Sequence, residues 1–190
     1  AGLCAGGDPG ISRTEEFNIS ANVITAGAWA SGGNLNSARF KMEMNGTQTA
    51  TIAMGGGTMP SPPSSTTNSE YYDGSSWTNQ TAMNNSRQRS GAGAFGTQTA
   101  AMSVSGVRNP PAPSNTVTDT EEWNGSNWTS GGAVPSGRYS ACFFGTQTAG
   151  VFAGGNPGPS NTGATDSAEY DGSSFSSGNS MSNARYNGTS

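Results

Sequence analysis

The chain has 190 residues, a formal net charge of −4 with 11% charged residues, and a pI near 4.6. It therefore lacks both the basic stripe that nucleic acid requires and the high net charge typical of a disordered segment. No apolar run approaches the roughly 20 residues needed to cross a bilayer, and no basic-then-apolar leader is visible, so membrane insertion is not expected. Leu is confined to Leu3 and Leu35, while Gly, Ser, Thr, Asn and Ala dominate. That composition predicts an all-β chain of short strands and tight turns.

Taken in chain order, the elements repeat. Gly2-Leu3-Cys4-Ala5-Gly6-Gly7 reads as a short apolar strand ending in Gly-Gly. Phe17-Asn18 ends the next strand, and Trp29 lies on a third after an insertion. A second copy starts near Arg39 and runs to Gly46-Thr47-Gln48-Thr49-Ala50. It continues with Thr51-Ile52-Ala53-Met54-Gly55-Gly56 and reaches Tyr72-Asp73-Gly74-Ser75-Ser76-Trp77. The third copy repeats the pentapeptide at 96–100, an apolar run ending in Ser105-Gly106, and Trp123-Asn124-Gly125-Ser126-Asn127-Trp128. The fourth has the pentapeptide at 145–149, Gly154-Gly155, and Tyr170-Asp171-Gly172-Ser173-Ser174-Phe175. Asp-Gly and Asn-Gly between aromatics predict hairpin turns, since both residue types accept positive φ. An arginine stands ten residues after each second aromatic, giving Trp29/Arg39, Trp77/Arg87, Trp128/Arg138 and Phe175/Arg185. The period of about 50 residues divides one domain, 1–190, into units 1–38, 39–86, 87–137 and 138–184. Residues 185–190 then begin another inner strand. Each unit is expected to hold four antiparallel strands, a to d.

Gly-Gly, the paired aromatics and four strands per repeat resemble the Kelch repeat of β-propellers. The resemblance implies about four blades, stacked so that each sheet buries both faces. The pentapeptide together with Thr120-Glu121-Glu122-Trp123-Asn124-Gly125-Ser126-Asn127-Trp128-Thr129 is also similar to repeats of predicted phage and marine viral structural proteins of the tail-fibre type. The offset between the termini falls inside an a–b hairpin. It fits a ring closed by a shared strand, and a longer array is the other possibility.

The chain has no histidine, which removes the commonest general base and metal ligand. No catalytic residue, metal site or cofactor is expected. The carboxylates Glu15-Glu16, Glu70, Glu121-Glu122 and Glu169 recur once per unit, whereas chemistry needs a residue once. Glu16, Glu122 and Glu169 are expected to pair with Arg39, Arg87, Arg138 and Arg185 or to cap backbone groups. Cys142 is expected to be a buried structural thiol.

Strands alternate direction, so the b–c loops and d–a connections should share one face, with the Gly-Thr-Gln-Thr and Asp-Gly turns on the other. The proline-rich b–c loops are the expected recognition segments, with Arg108, Asn109, Asn156 and Asn161 as candidate binding residues. These features lead to a non-catalytic structural or adhesive module of a virion or extracellular appendage. Its expected partners are other virion or appendage proteins, or a cell-surface receptor or glycan. A glycan-binding propeller, with Trp29, Trp77 or Trp128 exposed, and a carboxylate-based hydrolase or lyase are the alternatives.

Overall fold

The computed structural model describes residues 2–5, 10, 12–18, 28–59, 64–89, 91–92, 95–108, 116–158 and 162–186. No helix occurs among them. Strands β1 (Gly2–Ala5), β2 (Thr14–Asn18) and β3 (Ala28–Ser31) form sheet I. Sheet II contains β4 (Glu43–Thr47) and β5 (Ala50–Met54), and a small hairpin of β6 (Gly57–Thr58) and β7 (Ser64–Ser65) follows. Sheet II is completed by β8 (Ser69–Tyr72) and β9 (Trp77–Gln80). After β10 (Gly91–Ala92), sheet III is formed by β11 (Met102–Val104), β12 (Thr120–Trp123) and β13 (Trp128–Gly131). Sheet IV contains β14 (Ala141–Thr146), β15 (Ala149–Ala153), β16 (Ser167–Tyr170) and β17 (Phe175–Ser177).

Strands adjacent in sequence pair antiparallel within each of these four sheets. The expectation of four strands per unit needs correction in the third copy. There β10 joins the edge of sheet IV, parallel to β14, with Gly91 opposite Ala141 and Ala92 opposite Cys142. Among the described residues, single bridges tie this inner segment to its own unit, as at Gly96 and Ala101. The expected closing strand at 185–190 lies outside the described residues except for Arg185 and Tyr186. Arg185 bridges Ala164 of the unit before it.

Hairpin turns form where the sequence places them. The Asp73 carboxylate accepts hydrogen bonds from the amides of Ser75 and Ser76, both at 2.8 Å, and Gly74 takes φ +97°. Asp171 and Gly172 repeat this arrangement. The ring pairs Tyr72–Trp77, Trp123–Trp128 and Tyr170–Phe175 close over these turns at 4.9, 5.2 and 4.6 Å. Such cross-strand aromatic contacts add to the burial of each ring.

The core lies between consecutive sheets. Leu35, Ala53, Tyr72 and Trp77 fill the first joint, with Leu3 against them. Ile52, Met54, Met83, Ala101, Trp123 and Trp128 fill the second. Phe95, Met102, Val134, Phe143, Phe152 and Tyr170 belong to the third. Strand β5 is buried at Thr51, Ile52, Ala53 and Met54 in succession, because a sheet is packed against each of its faces. An apolar residue six positions after each aromatic completes the pattern. Leu35, Met83, Val134 and Met181 donate their backbone N–H to Ser12, Thr67, Thr118 and Thr165.

Gly-Gly is required by contact as well as by φ. Gly55 has φ +61°, and a Cβ there would lie 2.6 Å from the carbonyl oxygen of Arg87. The third copy meets the same constraint differently. Ser105 holds φ +59°, and its hydroxyl bonds to the carbonyls of Val117 and Arg138 at 2.7 and 2.8 Å.

Candidate functional site

The repeated arginines are clamps inside the units. Arg39 is fully buried. Its guanidinium donates to the carbonyls of Gly55 and Asn68, both at 2.8 Å, and to Glu70 at 2.7 Å. Burial pushes this guanidinium down from its ordinary value, against the pull of Glu70. Arg87 donates to the carbonyls of Ser105 and Asp119, and its other nitrogen pairs with the Asp119 and Glu121 carboxylates. Arg138 holds the carbonyls of Gly154 and Asp166 and pairs with the Asp166 carboxylate. Arg185 is exposed.

This corrects the expected pairing of Glu16, Glu122 and Glu169 with the arginines. The partners lie one residue earlier on the strand, at Glu70 and Glu121, because neighbouring strand residues face opposite sides. In the fourth unit that position is Ala168, opposite Ser177 as Glu121 is opposite Ser130, and Asp166 supplies the charge. Glu16 and Glu122 serve the joints instead, accepting the hydroxyls of Tyr72 and Tyr170 from the next sheet. At the equivalent place between sheets II and III, the Trp123 ring N–H donates to the Tyr71 hydroxyl. Burial, then the facing carboxylate, pushes Tyr72 and Tyr170 up to about 12.

The glutamine of Gly-Thr-Gln-Thr also bridges the joints, a role the turn signal alone did not reveal. Gln98 donates to the carbonyls of Thr51 and Tyr72 at 3.2 and 3.0 Å. Gln147 donates to those of Ala101 and Trp123, both at 2.7 Å. Gln48 reaches Glu16 at 3.2 Å. Recurrence of glutamine at one place in a turn was the signal available.

The strands present two distinct ends. At one, Gly74 approaches Thr49, Gly125 approaches Thr99 and Gly172 approaches Thr148, so the two constant turns of each unit are neighbours. A cleft of about 370 Å³ opens there, lined by Thr47, Ala50, Thr97 and Thr99. At the other, the arginines join the d–a connections to the ends of strands b and c. This end carries exposed Met59 and a cleft of about 200 Å³ lined by Ser37, Asn68, Asn79 and Gln80.

The two predicted binding residues among those described, Arg108 and Asn156, are both engaged within the fold. Arg108 is half-buried, bound to Asp119 at 2.6 Å and to the Ser86 carbonyl at 3.3 Å. Asn156 is fully buried, with its side-chain oxygen on the Gly158 amide at 2.6 Å. Asn109 and Asn161 lie outside the described residues, as does the Trp29 side chain. Trp77 and Trp128 are each 6% exposed. Their ring N–H groups point inward, to Thr14 and Gly33 and to Thr81, so neither offers an open aromatic platform. Phe175 is half-buried, and Cys142 is a half-buried free thiol. No group of three or more Cys, Asp or Glu among the described residues could hold a metal ion.

No family model and no curated protein matches the chain. A solved structure described as the structure of YjhT is similar to it with a TM-score of 0.75 at 11% identity. The match covers 97% of this chain and 64% of that one, so this chain spans under two thirds of the YjhT structure. At that identity the likeness shows the fold alone, an all-β chain of successive antiparallel sheets.

Proposed function

We propose that the four sheets are blades of a Kelch-like β-propeller, and that the chain is a non-catalytic structural or adhesive module of a virion or extracellular appendage. It engages a protein partner or a cell-surface receptor or glycan through the face carrying the b–c loops. The parallel pairing of β10 with β14 supports the radial arrangement, because inner strands of neighbouring blades run in the same direction. The binding role rests on the separation of constant from variable segments. Gly-Thr-Gln-Thr and Asp-Gly turns hold one end of every unit, while the loops at the other end differ in length and sequence on a clamped scaffold. The non-catalytic reading is supported by the structural engagement of Glu16, Glu70, Glu121, Glu122, Asp119 and Asp166.

The test is co-sedimentation of the protein with particles or cells of its source. Met59→Ser combined with Ser64→Ala on the loop face should lower retention at least fivefold. Thr97→Ser combined with Thr99→Ser on the turn face should leave it unchanged. Retention unaffected by the first pair and lost with the second would reverse the assignment of the faces, and no retention of the wild-type protein would reject the module itself.

A further inference from the structure

Three joints between consecutive sheets follow one chemical rule, and the outer face of sheet IV displays the same positions unfilled. The residue before each Gly-Thr-Gln-Thr turn reports this most clearly. Asn45 and Phe95 are 3% and 1% exposed, whereas Phe144 is 49% exposed. Asn45 is covered by the next inner strand, where its side-chain oxygen takes the Phe95 amide at 2.8 Å. Phe95 is covered by Phe143 of the next unit at 5.9 Å.

The hydrogen-bond acceptors agree. Glu16, Tyr71 and Glu122 each take a ring donor from the following unit. Glu169, at the same place in sheet IV, is exposed and has no donor among the described residues. The carbonyls of Thr51 and Tyr72, and of Ala101 and Trp123, take a glutamine amide from the following unit. Their counterparts are Gly150 and Tyr170, paired to each other as Thr51 is to Tyr72. The backbone for another joint is also set. Gly155 donates to the Arg185 carbonyl at 2.8 Å, as Gly56 does to Arg87 and Gly106 to Arg138. The Arg185 side chain is exposed where its three counterparts clamp the unit that follows them.

We propose that this face, marked by Phe144, Glu169 and the backbone carbonyls of Gly150 and Tyr170, is an interaction surface for one further repeat unit of the same build. The proposal rests on the radial arrangement of the sheets. The occupant must bring a Gly-Thr-Gln-Thr turn for the two carbonyls, a Tyr or Trp donor for Glu169, and a carboxylate for Arg185. Sheet I does not meet this description. It has Phe17 at the ring-donor position, and Phe has no N–H or O–H to give. A second copy presenting sheet I fails for the same reason.

Hydroxyl-radical footprinting read by mass spectrometry tests this, with Phe143 and Phe152 as buried references in the same chain. In the 190-residue protein, Phe144 should be oxidised readily at every protein concentration. Two extended chains then supply the occupant. In one, a second copy of residues 140–186, carrying Phe144→Leu so that the two peptides differ in mass, follows Tyr186 and continues Arg185-Tyr186 as Arg138-Tyr139 is continued. In the other, residues 40–86 follow Arg185. Oxidation of Phe144 should fall about tenfold or more when the added unit covers it, since such a joint packs like a protein interior. Gln147→Ala and Tyr170→Phe made only in the added copy should restore most of the oxidation.

Phe144 protected in the 190-residue protein at all concentrations would mean that sheet I closes the ring, and would overturn the proposal. Protection that grows with concentration would assign the face to a second copy and overturn it equally. So would Phe144 remaining exposed in both extended chains, whether or not the added unit folds. The reference rings separate this from failure of the radial reading, because Phe143 and Phe152 would then be oxidised as well.

Discussion

Replacement of Arg39 by methionine tests the clamp most sharply, because the fourth unit supplies a natural control. Arg39 and Glu70 are both buried, with side-chain exposures of 0% and 1%. Arg39→Met would leave the Glu70 carboxylate inside the protein with only the Asn36 amide, at 2.8 Å, as a remaining partner. Removing one member of a buried pair costs about 3–5 kcal/mol. Arg138→Met removes two bonds to carbonyls, but its partner Asp166 is 54% exposed and can be solvated. That loss should be only about 1–3 kcal/mol, the cost of the lost bonds to the carbonyls. Removing both members with Arg39→Met and Glu70→Met should recover the part of that loss due to the stranded charge and leave about 1–3 kcal/mol for the lost carbonyl bonds, since an apolar pair avoids desolvating charge. Urea unfolding of the four proteins reads these differences from their midpoints. Equal losses for Arg39→Met and Arg138→Met, or no recovery in the double variant, would refute the assignment of the Arg39–Glu70 pair as a closed, desolvated clamp.

Other consequences can be measured on the same material. Gln147→Ala should destabilise the protein by about 1–3 kcal/mol through loss of two bonds across a joint, and Gln80→Ala, whose side chain only reaches Thr78 in its own strand, should change urea stability little. Ser105→Ala keeps the strained positive φ and deletes the bonds to Val117 and Arg138, so a loss of about 1–3 kcal/mol is expected by the same assay. Tyr72 and Tyr170 hold their protons up to about pH 12 in the folded protein, against an ordinary value of 10.0. Stability from them is present below pH 10 and is lost as pH rises from 10 to 12, because the folded state binds more protons there. Absorbance at the phenolate band should show a titration step near pH 12, and Tyr72→Phe with Tyr170→Phe should remove that step. At the acid end, the turn amides and hydroxyls of Ser75, Ser76, Ser173 and Ser174 pull Asp73 and Asp171 down to about 2. Their contribution is present above the ordinary 3.8 and fades as pH falls toward 2, which the carboxyl resonances of the two aspartates should follow by NMR.

Local chemistry in this chain was readable, and long-range register was not. Asp73-Gly74 and Asp171-Gly172 form the expected turns because each aspartate bonds to amides two and three residues ahead. The arginine period correctly marked a repeated element, and three of those four side chains are buried. The choice between Glu121 and Glu122 depended on which strand face meets Arg87, and pairing across three strands sets that. Ala168 in the fourth unit hid the alignment of Glu70 with Glu121, which would have identified the inward position. Gln98 and Gln147 read as turn residues because their partners lie in the preceding sheet. Strand β10 gave no warning of its parallel partner, since nothing within Gly91-Ala92 differs from an ordinary edge. Asn156 opens a predicted recognition loop, yet this first residue is buried and exchanges two backbone bonds with Tyr139.

The central claim is that the sheets are joined one to the next by repeated side-chain bridges. Exchange of the glutamine side-chain amides with solvent, resolved by NMR, tests it most directly. Gln98 and Gln147 should exchange at least about tenfold more slowly than Gln80, because their amides lie across a joint between two carbonyls. If all three exchange alike, the joints are not bridged in this way and the account is contradicted.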